Sequence, residues 1–458
     1  MNGEPLDVAE RALVLARRVA PDVQVTVTRE RSLLSRFARS APTQATAVDD
    51  TVVEILCLRD GHTALASTNR LDDDSLRDTA ARADAAARAS SRSGPGNHPG
   101  LAGPAEPSRH DGFDEATAAL DPARAADALR ETFAVAGDHG LEAFGVWTAG
   151  DVQTAIAAST GVRLQDRVSD VFMKIVCRDR DGRTGYAAGA APAAAAIDAP
   201  TLARRAASKV TPEPPAELGP GSYPVVLEPD AVGLLLEFLG VLAFNGLAHG
   251  EGRGALAGRL GEQIASPAIR LSDDPRAALT LPRAFDLEGV PKAPLTLIDG
   301  GVATGVVHDR RSAAAAGDGA RSSGHATHPG GSQWGPSPTN LVLAGGAAAD
   351  VQELVAPIER GIYVTRLWYV NTVRDKEALL TGMTRDGTFL IEDGRIAQPL
   401  RDVRFTDSVL RLLAATEALT TDQRLAAEGE FYGRRFANGV VSPALRADGF
   451  RITGATTA

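Results

Sequence analysis

The spacing of apolar and polar positions changes period several times along the chain. Leu6, Val8, Ala9, Ala12, Leu13, Leu15 and Ala16 recur at close to helical spacing. They predict a helix over 6–20 that Pro21 stops. VQVTVTRE then alternates apolar and polar, the pattern of a half-buried strand, and short strand-like pieces follow over 31–69. Within them Asp60-Gly61 marks a hairpin turn. A helix is predicted from about Ser75 to Ala89, with Asp72, Asp73 and Asp74 at the positive end of its dipole. Another is predicted from about Pro122 to Ala136. Between them, residues 91–112 (SRSGPGNHPGLAGPAEPSRHDG) are dense in Pro, Gly and Ser, which predicts an exposed loop without a packed core. LEAFGVWTAG, VQTAIAAST, VRLQDRVSDVFMKIVCRD and TGYAAGA read as strands, with a second hairpin turn at Asp181-Gly182. A helix from about Pro200 to Lys209 closes this half.

TPEPPAELGPG (211–221) marks a boundary. Beyond it come YPVVLEP, one apolar helix over 230–244, and many short strands: LTLID, GVVHD, NLVLAGG, GIYVTRLWYV, TGMTRDGTFLIEDG and VRFTD. A further helix is expected near Ser408–Ala418. The expected architecture is α+β, with a mixed helix and strand N-terminal domain over 1–212 and a mostly antiparallel β-rich domain over 222–458.

The run AVGLLLEFLGVLAFNG (231–246) is apolar on every side of its helix, which predicts full burial. Glu237 interrupts it. A carboxylate so placed must be paired, hydrogen-bonded or protonated. It either faces a crevice, or bonds an arginine such as Arg253 or Arg259, or serves a functional role.

Composition narrows the class. The chain has 458 residues, 44% hydrophobic and 23% charged, the balance of a soluble globular protein. Lys and Arg total 48 against 58 Asp and Glu, a net charge of −10, which argues against nucleic acid as a partner. Cys57 and Cys177 lie far apart in apolar runs, so they form neither a disulfide framework nor a thiolate cluster and read as small buried hydrophobes. The N-terminus carries Glu4, Asp7 and Glu10 where a signal peptide has basic residues. The apolar run is shorter than the roughly 20 residues a bilayer requires. A cytoplasmic protein without membrane contact is expected.

No H-E-x-x-H, G-x-x-x-x-G-K-[ST] or G-x-S-x-G pattern occurs. GEGRG (250–254) lacks the lysine and the preceding strand of a nucleotide loop. Of eight histidines, only His325 and His328 lie close together, in SSGHATHPGGSQW, which also contains Trp334. The pair could hold a metal if a third ligand came from elsewhere; otherwise both are solvated or bond the loop backbone.

Five blocks carry a family resemblance: ALASTNRLDDDSL (64–76), VVLEPDAVGLLLEFLG through GRLGEQIAS (225–266), TLIDGGVATGVVHDRRSAAAAG (296–317), RSSGHATHPGGSQWGPSPTNLVL (321–343) and TFLIEDGRIAQPLRDV (388–403). In order and spacing the chain resembles the TldD/PmbA metallopeptidase family, also described as modulators of DNA gyrase. The resemblance implies a helix of the type L-L-H-E-x-x-x-H-G in the catalytic subunit, two histidines binding zinc and the glutamate activating water. Matching Leu235-Leu236 and Gly261-Glu262 places the first histidine at Glu237, the glutamate at Phe238 and the second histidine at Leu242. The C-terminal region also lacks the family's ligand cysteine. By this resemblance the chain holds no zinc and has no catalytic residues of its own. It is expected to be the non-catalytic, TldE-like subunit of a heterodimeric protease. Its partners would be a zinc-bearing TldD-type subunit and a peptide or unfolded polypeptide, with Glu237, His325, His328 and Trp334 as candidate contacts. The alternatives are a hydrolase acting through His325 and His328, or a non-proteolytic protein-binding modulator.

Overall fold

The computed structural model describes residues 3–317, 319–429 and 433–455. Helix α1 (Pro5–Ala16) starts on a proline and buries Val8, Ala9, Ala12 and Leu13 along one stripe. It leads into β1 (Asp22–Ala38), β2 (Ala41–Arg59) and β3 (His62–Thr68). Asp60 and Gly61 both adopt positive φ in the β2–β3 turn, as two-residue hairpins require. Helix α2 (Asp73–Ser91) is capped by the Asp72 side chain, which accepts from the Ser75 amide. Then follow α3 (Glu115–Ala118), α4 (Pro122–Asp138), β4 (Glu142–Ala158), β5 (Arg163–Arg178), β6 (Thr184–Ala191) and α5 (Ala199–Ala207). Asp121 and Asp198 cap α4 and α5.

These six strands form an antiparallel sheet in the order β3-β2-β1-β4-β5-β6. Odd-numbered residues of β1 and β4 (Val23, Val25, Val27, Ala155, Ala157) pack under α1 and α2. Further along the same face, Phe37, Trp147 and Ala149 pack with α4 and α5. The strands are longer than the sequence pattern predicts. LEAFGVWTAG and VQTAIAAST are one 17-residue strand. The apparent break at Asp151 is a buried carboxylate that receives two 2.9 Å hydrogen bonds from Arg167 across the sheet. A cross-strand ion pair thus keeps a polar residue inside a continuous strand.

The second half comprises β7 (Gly221–Leu227), α6 (Pro229–Ala243), α7 (Gly246–Gly250), β8 (Leu271–Asp273), β9 (Leu295–Asp299), β10 (Val302–Ala303), α8 (Arg310–Ala316), β11 (Leu341–Leu343), α9 (Val351–Val355), β12 (Arg360–Arg374), β13 (Leu379–Glu392), β14 (Arg395–Pro399), β15 (Val403–Ser408), α10 (Val409–Ala414), β16 (Thr416–Ala426) and β17 (Val440–Ala455). They build an 11-stranded, mostly antiparallel sheet in which β7 pairs with both β12 and β17. The strands β7, β12, β13, β15 and β17 therefore close into a ring. The architecture is mixed helix and strand, as expected. The helix expected over 408–418 ends at Ala414 and gives way to β16, whose pairing with β17 outweighs local propensity. GVVHD forms no strand; Val307 makes only an isolated bridge to Asn245.

The loop 91–112 corrects a second expectation. Much of it is exposed, but it is tied to the second half of the chain. His98 is buried with its Nε2 3.3 Å from Glu288. Gly100 O accepts from Arg310 Nε at 2.9 Å, and the Ser108 amide donates to Ala284 O at 3.1 Å. A segment without its own apolar core is ordered here by polar contacts to α8 and the loop around 284–288, and by Ala102 packing in an apolar cluster with Ile156 and Phe285.

Candidate functional site

Helix α6 grows directly from β7, with Pro229 as its first residue. Its core side (Ala231, Val232, Leu235, Leu236, Leu239, Ala243) packs into the largest apolar cluster, against strands β12, β16 and β17. Full burial does not follow. Leu234, Phe238 and Leu242 are only half-buried, and Glu237 and Val241 are exposed. At i, i+3, i+4, i+7 and i+8 these five residues form one open face. The helix is apolar all round, yet the sheet covers only one side of it.

Glu237 points along this face into a small crevice lined by Asp230, Tyr186, Arg366 and Glu428. Neither arginine suggested by the sequence reaches it. Arg253 pairs with Glu251 at 2.6 Å and Arg259 with Glu262 at 3.0 Å. Partial withdrawal from solvent, then the charge of Glu428, raise the Glu237 carboxyl above the ordinary range. Phe238 and Leu242 present hydrocarbon. Across the three positions that the resemblance assigns to metal and base, a single oxygen-bearing side chain is available. Zinc takes three or four N, S or O ligands, so this donor set does not fit it. Among the described residues, no group of three or more His, Cys, Asp or Glu side chains is placed to hold a metal.

The other sequence candidates are dispersed. His325 is buried, with Nε2 3.0 Å from Asp273 Oδ1 but not aligned for a hydrogen bond, and Nδ1 3.0 Å from Ser323 Oγ. His328 is exposed, its ring Nδ1 lies 3.1 Å from the neighbouring Thr327 hydroxyl, and its carbonyl accepts from the Gly331 amide at 3.0 Å. The loop therefore turns the two histidines to different environments. Trp334 is 72% exposed, and its carbonyl accepts from Asn245 Nδ2 at 2.6 Å just beyond the end of α6. Cys57 and Cys177 are buried free thiols, pushed up to about 12 and about 11 chiefly by burial.

Sequence reasoning missed the charged groups that position α6. Glu228, immediately before the helix, is buried and receives Arg205, Tyr363 and Lys209, the last at 2.7 Å. Burial alone would raise its carboxyl; Lys209 and Arg205 outweigh that and hold it below the ordinary range. The next acid, Asp230, is pushed up to about 6, mainly by burial and with Glu228 adding to it against Arg205. Arg366 bonds Asp386 and lies over the rings of Tyr186 and Trp368, at 4.4 and 4.9 Å. The visible signal was weak: an acid on each side of Pro229 at a strand–helix junction. Arg205 and Lys209 come from α5 and the turn after it, about twenty residues upstream, so only the fold brings them there.

Next to the crevice lies a cleft of about 720 Å³ between the two sheets. Arg366 lines both.

Comparisons with known proteins agree with this layout. Residues 220–454 match the PmbA/TldA metallopeptidase C-terminal domain, and residues 23–87 match PmbA/TldA metallopeptidase domain 1. A metalloprotease of Methanothermobacter thermautotrophicus is 31% identical over 208 residues, 45% of this chain and 44% of that protein. A metalloprotease TldD homolog of Haemophilus influenzae is 26% identical over 249 residues, 51% of this chain and 48% of that protein. The matches thus span about half the length of these curated relatives. Among solved structures, TldE from Thermococcus kodakarensis superposes with a TM-score of 0.85 at 20% identity, covering 98% of this chain and all of that one. A candidate modulator of a DNA gyrase from Thermotoga maritima gives 0.82 at 19% identity, covering 98% of this chain and 99% of that one. The domain match over more than half the chain settles the lineage: this protein belongs to the PmbA/TldD metallopeptidase family.

Proposed function

We propose that this chain is the non-catalytic, TldE-like member of a two-chain zinc protease. A TldD-type subunit supplies the metal, and this chain helps enclose an extended or unfolded peptide. The observation that carries the reading is the less buried face of α6, where the positions that the resemblance assigns to metal ligands and base hold Glu237, Phe238 and Leu242. Phe238 cannot act as a general base and Leu242 cannot ligate a metal, so hydrolysis has to be completed by another chain. The fold likeness to a structure named TldE is consistent with this role. No described helix is long and apolar enough to cross a membrane, and the net charge of −10 disfavours nucleic acid. Both fit a cytoplasmic peptide-handling complex. Activity through His325 and His328 has no geometric support, since one is buried beside Asp273 and the other faces solvent.

The test is co-expression with a TldD-type subunit. Peptidase activity is expected only when both chains are present, and it should survive Glu237→Ala in this chain. Zinc bound stoichiometrically by the isolated chain, with peptidase activity abolished by Glu237→Ala, would overturn the assignment.

A further inference from the structure

The cleft beside the crevice reverses the charge balance of the molecule. Over the whole chain acids outnumber bases, 58 to 48. The cleft lining has five basic side chains, Arg36, Lys174, Arg178, Arg366 and Arg385, against two acids, Asp386 and Asp402. Asp386 is already held by Arg366. Asp402 accepts from the Thr388 hydroxyl at 2.9 Å. Arg178 and Arg385, which line the cleft, are exposed. We propose that this cleft binds an acidic stretch of an extended peptide through its carboxylates.

Three features favour that ligand. Arg385 lies over the Trp368 ring at 5.6 Å, which orients its flat guanidinium while leaving N–H edges for other contacts, whereas Arg366, 4.9 Å from the same ring, turns its Nε and Nη2 edge to Asp386. Planar guanidinium edges match carboxylates in paired hydrogen bonds. Phe37, Phe144, Met383 and the 39%-exposed Trp368 add apolar surface for the aliphatic parts of glutamate and its neighbours. At about 720 Å³ the cleft suits a few extended residues rather than a folded protein. The surplus negative charge elsewhere does not cancel the local cations, because charges beyond about 8 Å are largely screened at physiological salt. The shared Arg366 would direct a peptide bound here toward the open face of α6. The peptide nature of the ligand rests on the proposed function; the selection for acid rests on the cleft alone.

The experiment uses the full chain without any partner or zinc. Fluorescence anisotropy follows a labelled unstructured peptide of about ten residues rich in glutamate, and its counterpart with every glutamate replaced by glutamine. The acidic peptide should bind about tenfold more tightly, in line with charged over neutral hydrogen bonding. Its binding should weaken at high salt. Arg385→Gln and Arg178→Gln should each weaken it severalfold while thermal unfolding stays unchanged. If one variant unfolds early, the other carries the comparison. Equal binding of the two peptides, or indifference to these substitutions, would refute acid selection. So would displacement by inorganic phosphate or single-stranded DNA at matched charge, which would show a general anion site. Peptide binding without hydrolysis by the co-expressed pair would leave this proposal standing and remove the protease reading; hydrolysis without acid selection would do the reverse.

Discussion

Asp402 and Asp273 show how one residue type acquires opposite behaviour from its surroundings. Asp273 is buried with Oδ1 3.1 Å from Lys292 Nζ, and its other oxygen accepts the Thr339 and Asn340 amides at 2.7 and 2.8 Å. Burial opposes its charge, but Lys292 and His325 outweigh burial and hold its carboxyl well below the usual range. Its stabilising effect is present above the ordinary carboxylate pKa and is lost as pH falls through and below that value. Asp402 is pushed from 3.8 up to about 6, mainly by burial, with Asp386 adding to it and the Thr388 hydrogen bond and Arg385 opposing. Between those values the folded chain binds more protons than the unfolded one, so stability falls as pH rises through that window. Asp402→Asn removes this contribution while keeping an acceptor for Thr388. The variant should therefore gain stability relative to the native chain as pH rises from about 4 to about 6. Thermal melts at several pH values check this; parallel curves for the two proteins would show that Asp402 does not titrate as described.

At the scale of elements, α6 is tightly matched to the strand end it crosses. A methyl group on Gly233 would overlap the side chain of Ala426, the last residue of β16. Gly233→Ala should gain about 1 kcal/mol in helix propensity. The overlap should cost about 1–3 kcal/mol, and a net loss is expected. Adding Ala426→Gly should recover most of that loss in a urea titration; no recovery would place the strain elsewhere. The helices were legible because proline starts and aspartate caps are local signals: Asp72, Asp121 and Asp198 each bond an amide within three residues. The burial of α6 was not, because hydrophobicity around a helix does not tell which side a sheet will cover. Strand lengths were misread for a related reason. Asp151 looks like a break until Arg167, on the neighbouring strand, lies beside it.

For the molecule as a whole, a short segment before β17 fastens the two sheets together. Arg435 is 3% exposed and reaches into the first sheet, donating to Asp170 at 2.8 and 2.6 Å and to Thr148 at 2.9 Å. Its neighbour Arg434 bonds Glu54 at 2.9 Å. Arg435→Ala leaves the buried Asp170 without this partner and should cost about 3–5 kcal/mol, read from the urea midpoint of the full chain. A loss below about 1 kcal/mol would mean that water or another cation takes over. The sequence alone determined the mixed helix and strand class, the starts of the longer helices, the turns at Asp60-Gly61 and Asp181-Gly182, and the presence of Glu237, Phe238 and Leu242 on α6. Each of these depends on neighbours within a few residues or on side-chain chemistry itself. Tertiary structure alone decided that α6 opens on one side, that His325 and His328 part company, that Glu228 meets Lys209, and that basic side chains from both halves line one cleft. Those outcomes depend on which distant segments share space, and charge and burial take effect only through that proximity.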